Sequence, residues 1–112
     1  MCNDGVTIAK EINLKEPEEN LGARMLREAA VKTGDNVGDG TTTSTLLAHA
    51  IFSEGLRNIV AGASAIDLKR GLDRGHQVAV EALIALSKPC ATRLEQEQVA
   101  TVSAHNLSLI HI

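Results

Sequence analysis

From residue 65 to residue 86 small or apolar residues recur every three or four positions, at Ala65, Leu68, Leu72, Gly75, Ala79, Leu83 and Leu86. That period places them on one face of an α-helix, whereas a half-buried strand would alternate every two residues. Ser64 followed by Asp67 matches a capping box at its start, and Pro89 stops it. Gly71 and Gly75 sit inside it at a cost of about 1 kcal/mol each, and their four-residue spacing predicts a closely packed neighbouring helix. A second stripe, Leu21, Met25 and Ala29 with Leu26 and Ala30 beside it, follows Pro17 and three flanking glutamates and predicts a helix to about Thr33. A third helix is predicted from about Thr41 to Glu54, burying Leu46, Leu47, Ala50 and Ile51. The segment "TRLEQEQVATVSA" begins a further one. The fold class is mainly α.

One stretch departs from this pattern. "NDG" at residues 3–5 is a hairpin-turn signal, and Val6, Ile8 and Ile12 predict a strand leaving it. Only Met1 and Cys2 precede the turn, so the chain is expected to begin in the middle of a β-hairpin, as a fragment would. The closing "LSLIHI" fits nothing before it and is expected to be a strand or a non-native end.

Composition narrows the function classes. The only aromatic residue is Phe52, so a core must come from Leu, Ile, Val, Ala and Met, and little surface is left for stacking on bases. A net charge of −3 argues against nucleic-acid and membrane-surface partners. No apolar run reaches membrane-spanning length, and the N-terminus lacks the pattern of a signal peptide. Cys2 and Cys90 stand far apart and read as free thiols in a reducing cytosol, and the four histidines have no zinc-ligand spacing. Cys90 and Phe52 are expected in the core, and His49 and His76 on helix surfaces. Lys69, Arg70 and Arg74 read as a solvated face with local ion pairs to Asp67 and Asp73.

The chemistry concentrates in "VGDGTTTSTLL", residues 37–47. A P-loop fails here because Asp39 stands where the second glycine belongs and no lysine follows. A dinucleotide fingerprint fails at Thr43, and a calcium loop fails at Val37 and Leu46. What remains is a helix start with unpaired N–H groups and partial positive charge. Gly38 and Gly40 permit sharp turns and close approach, and Thr41, Thr42 and Thr43 add three hydroxyls. That is a nest for phosphate oxygens. Asp39 would repel bare phosphate, but it suits a nucleotide carrying Mg²⁺. The alternative is that Asp39 or Thr41 merely caps the helix, which explains one of the four polar residues.

"NDGVTIAKEI", "VGDGTTTSTLLAHAI", "EGLRNIVAGASAIDLKRGLDRG" and "VSAHN" resemble successive blocks of the group I chaperonins, the GroEL family, in order and spacing from about Asn3 to Asn106. The resemblance implies a cytoplasmic, ATP-driven protein-folding subunit. Its implied partners are identical subunits in a double ring, a co-chaperonin and unfolded client proteins. Residues 1–85 would be part of an equatorial ATPase domain, 86–106 the start of an intermediate domain, and 107–112 a doubtful tail. ATP and Mg²⁺ are the implied cofactors. Asp39 would hold the metal and phosphate, Gly40, Thr41, Thr42 and Thr43 the phosphates, and Asp4 would lie near the attacking water. The family's upstream glycine loop, its later catalytic acid, its adenine contacts and its apical domain are expected outside this stretch, which alone is expected to be inactive. Two rival readings are a stand-alone helical nucleotide- or phosphate-binding module without hydrolysis, and a purely structural helical domain.

Overall fold

The computed structural model describes residues 4–104. Asn3 of the turn signal, Cys2 and the "LSLIHI" tail lie outside the described residues. Five helices follow in order: α1 (Gly5–Glu11), α2 (Pro17–Val37), α3 (Thr41–Val60), α4 (Ala65–Leu86) and α5 (Arg93–Ser103). The mainly α expectation holds.

The expected N-terminal strand does not. Residues 5–11 are helical, and no strand occurs among the described residues. A strand leaves its backbone groups unpaired unless a second strand lies beside it. The helix closes its own ladder instead, beginning with the Ile8 N–H donating to the Asp4 carbonyl at 3.1 Å.

The second helix also runs one turn beyond Thr33, through Gly34, Asp35, Asn36 and Val37. It ends at Gly38, which adopts the left-handed conformation (φ 71°) and donates its N–H to the Gly34 carbonyl at 3.0 Å. Glycine takes that conformation without the Cβ clash that other residues meet. Two residues on, Gly40 repeats it (φ 75°) and opens α3. The glycine-rich segment is therefore a two-glycine reversal, shorter than the loop predicted. α3 in turn continues through Gly55 to Val60.

The chain divides into two compact units after Leu68. In the first, α1, α2 and α3 pack on one another. Their seam is built from small residues. Ala30 is fully buried, the Ser44 hydroxyl oxygen lies 3.3 Å from the Ala29 carbonyl oxygen, and a Cβ added at Gly34 would lie 3.5 Å from Thr41 Cγ2. Small side chains let two helix backbones approach closely, and the larger apolar groups then fall outside the seam. Leu46, Leu47 and Ile51, expected in the core, are accordingly exposed, as are Leu21, Met25 and Phe52. Ala30 is the only buried hydrophobic residue among those described.

The second unit contains most of α4 and all of α5, and it buries none of its described residues. An added Cβ at Gly71 or Gly75 would meet nothing within 4 Å, so the close packing predicted there is absent among the described residues. Cys90 is exposed, against the expectation of burial. The solvated-face reading of this region holds for Lys69, which pairs with Asp73 at 2.7 Å; both side chains are exposed, so the pair adds little stability.

α5 has a complete capping box. The Glu95 N–H donates to Thr92 Oγ1 at 3.2 Å, and the Glu95 carboxylate accepts from the Thr92 N–H at 2.9 Å. The Thr92 and Ala91 backbone N–H groups, donating to its carboxylate at 2.9 and 3.0 Å, hold the Glu95 carboxyl below the usual glutamate value. Its contribution is therefore fully present above the unfolded value and fades as pH falls through the lowered one. Thr92→Ala removes one arm of the box and should cost about 1 kcal/mol of α5 stability. Far-UV circular dichroism at neutral pH will register this as lost helicity.

Candidate phosphate-binding site at the start of the third helix

The site forms where the starts of α1 and α3 meet. Asp4 is the N-cap residue of α1, in extended backbone conformation (φ −85°, ψ 115°). One carboxylate oxygen accepts from the Thr7 hydroxyl at 2.5 Å, and the other accepts from the Thr41 hydroxyl at 3.3 Å. The second contact joins residues 37 positions apart in the chain. Thr41, at 6% exposure, is the only buried polar residue among those described.

The next residue tightens the junction. A Cβ added at Gly5 would fall 2.5 Å from Thr42 Oγ1, 2.7 Å from Thr42 N and 2.9 Å from Thr41 Oγ1. No real Cβ tolerates such distances, so only glycine admits α1 this close to the first turn of α3. Sequence reasoning treated Gly5 as half of a turn and passed over Thr7. The Asp-x-x-Thr spacing was a signal for the Thr7 contact, whereas the crowding at Gly5 is a tertiary fact without a local signature.

The first turn of α3 has an unusual cap. Its N-cap is Gly40, which has no side chain to bond the opening amides. Asp39, one residue earlier, accepts only locally in the bonds described, from the Gly40 N–H at 2.8 Å. It does not cap the helix in the ordinary way, which removes the plainest alternative explanation for an acid at this place. Thr45 and Ser44 donate their hydroxyls to the Thr41 carbonyl at 2.8 and 3.0 Å, securing the turn from below. Asp39, Gly40, Thr42 and Thr43 are exposed.

Five of the six predicted residues thus lie in or beside one turn, as their sequence adjacency requires, and the fold adds Asp4 to Thr41. Asp39 is attached to that turn through the chain and Asp4 through Thr41 Oγ1.

The electrostatics favour charge on Asp4. The Thr7 hydroxyl is the main cause, assisted by the Thr41 hydroxyl and nearby backbone donors, and together they hold its carboxyl below the usual aspartate value. No group of three or more His, Cys, Asp or Glu side chains that could hold a metal occurs among the described residues. A divalent ion bound by protein ligands alone is not served by this set. One that keeps its waters and takes a single carboxylate plus phosphate oxygens is, and that is the habit of Mg²⁺.

The paired helix junction has a glycine–acid–glycine reversal and a threonine-rich start, a geometry of the kind that suits an anion. The profile of the TCP-1/cpn60 chaperonin family matches residues 1–108. The chain is 70% identical over 106 residues to Chaperonin GroEL 5 of Bradyrhizobium diazoefficiens, covering 95% of this chain and 20% of that relative. The chain belongs to the TCP-1/cpn60 chaperonin family, on the group I side, and spans about one fifth of the length of that relative.

Proposed function

We propose that these residues form part of the ATPase site of a cytoplasmic chaperonin subunit, with 1–85 in its equatorial domain and 86–106 entering its intermediate domain. The observation that carries this reading is the bond from Thr41 to Asp4, which brings a charged carboxylate from α1 to the uncapped start of α3. The glycine N-cap leaves the opening amides of α3 without a side-chain acceptor.

Bound Mg-ATP supplies the phosphoryl group and neutralises its charge. Asp39 holds the metal, and the Thr41, Thr42 and Thr43 hydroxyls with the neighbouring amides hold phosphate oxygens. Gly5 lies so close to Thr42 that α1 forms one wall of this cradle. Asp4 accepts a hydrogen bond from the water that attacks the γ-phosphate. Because its pKa is lowered, Asp4 is a weak base, and its work is to orient that water. Hydrolysis biases the conformations of a double ring that acts with a co-chaperonin on unfolded client proteins. The open apolar faces of α2 and α3 suit a stretch that the rest of a longer subunit covers.

The test is Asp39→Ala in a full-length subunit, read by equilibrium ATP binding with Mg²⁺ and with excess EDTA. Wild type should bind ATP more tightly with the metal, and the variant should lose at least ~1.4 kcal/mol, a factor of ten, in the presence of metal only. Equal loss in both conditions would assign Asp39 a structural role and end the metal reading. Retained binding would end the site assignment.

A further inference from the structure

A second cluster of charge lies away from the threonine turn. An open cleft of about 320 Å³ is lined by Lys10, Ile12, Asn13, Asn20, Arg24 and Arg27. Three of these six residues are cations, two are amides and none is an acid. Elsewhere among the described residues Arg57 pairs with Glu54, Lys69 with Asp73 and Arg93 with Glu97. Lys10 and Arg24 form no ion pair among the described residues.

The walls are fixed by the chain itself. The Arg27 guanidinium donates through Nη2 to the Ile12 carbonyl at 2.5 Å, tying α2 to the end of α1. The Asn20 Oδ1 accepts from the Leu14 N–H at 3.0 Å, which leaves the Asn20 amide nitrogen as a donor. Arg27 Nε is buried and has no hydrogen-bond partner. Three like charges gathered on one cleft repel one another, and an unsatisfied guanidinium donor keeps an uncompensated cost. A dianion in the cleft offsets the mutual repulsion and can accept from the lysine, guanidinium and amide donors that line it.

We propose that this cleft binds the phosphate group of a small phosphorylated molecule, at a site separate from the threonine turn. A carboxylate carries one charge and two oxygens and would leave part of this donor set unanswered. The cleft also has room beyond a bare phosphate, so the group it takes is attached to a larger molecule.

Inorganic phosphate is the probe, titrated into the ¹⁵N-labelled chain against chloride and acetate at equal ionic strength. The Asn13 and Asn20 side-chain amides should shift with phosphate and barely with the other two anions. Their titration curve should differ from that of the Thr41 to Thr43 amides, which separates this site from the one proposed above. Lys10→Gln combined with Arg24→Gln should weaken phosphate at least about tenfold at the asparagines, since two charge-assisted donors are lost. Lys32→Gln, an exposed change on α2 outside the cleft, should leave that affinity unaltered. Unchanged circular dichroism will establish that both variants fold. The proposal is overturned if acetate or chloride matches phosphate, if the double variant binds as wild type does, or if Lys32→Gln weakens binding as much.

Discussion

Asp4→Asn, in a full-length subunit carrying this stretch, will lower the rate of ATP hydrolysis by about 10²-fold while leaving the equilibrium binding of ATP within a few-fold of wild type. Asparagine keeps the shape and retains one oxygen to accept from the Thr41 or Thr7 hydroxyl, so the α1–α3 junction survives. What it loses is the charge and one acceptor, which are the properties that orient a water for attack. Hydrolysis and binding must therefore separate. A variant that loses both in step would place Asp4 in the phosphate cradle, and one that loses neither would return it to a turn residue.

The pH profile sharpens this test. The Asp4 carboxyl is held below its ordinary value by the Thr7 hydroxyl, so its folded pKa lies under the unfolded one. Its contribution to the junction is thus complete above the unfolded value and is lost only as pH falls through the lowered one. The wild-type rate should show no Asp4-dependent loss between neutrality and about pH 5. A general base with a raised pKa would begin to lose activity within that range.

The helices were legible because their signals are local. Three- and four-residue apolar spacing, Pro17 at a helix start and Thr92 three residues before Glu95 each act within a turn or two. The threonine site was legible for the same reason, since Asp39 to Thr43 are consecutive. What the sequence hid depends on neighbours. The "VTIAKEI" pattern serves a strand when a partner strand is beside it and a helix when none is, and the residues themselves do not choose. The core was misjudged because the widest apolar stripes drew attention, whereas α2 and α3 meet along Ala30, Gly34, Thr41 and Ser44. A small-residue seam of this kind carries almost no hydropathy signal. Family resemblance offered Asp4 as a site residue, whereas turn chemistry alone assigned it to a bend; the structure bonds it to Thr41.

Gly5 carries the other large expected effect. By helix propensity alone, replacing a helical glycine should stabilise the chain by up to about 1 kcal/mol. Gly22 on α2 is the control for that gain, since an added Cβ there meets nothing within 4 Å, and Gly22→Ala should raise the urea midpoint. At Gly5 sterics must win. The added carbon would lie 2.7 Å from Thr42 N, a backbone atom of the first turn of α3, and 2.5 and 2.9 Å from the Thr42 and Thr41 hydroxyl oxygens. Gly5→Val demands more room still, and the only element free to give is α1. Overpacking of this order costs about 1–3 kcal/mol, enough to reverse the propensity term and lift α1 from α3. The separation will appear as faster amide exchange at Thr41 and Thr42. If Gly5→Val raised the midpoint as Gly22→Ala does, the close junction of α1 with α3 would be wrong, and with it the route by which Asp4 reaches the threonines.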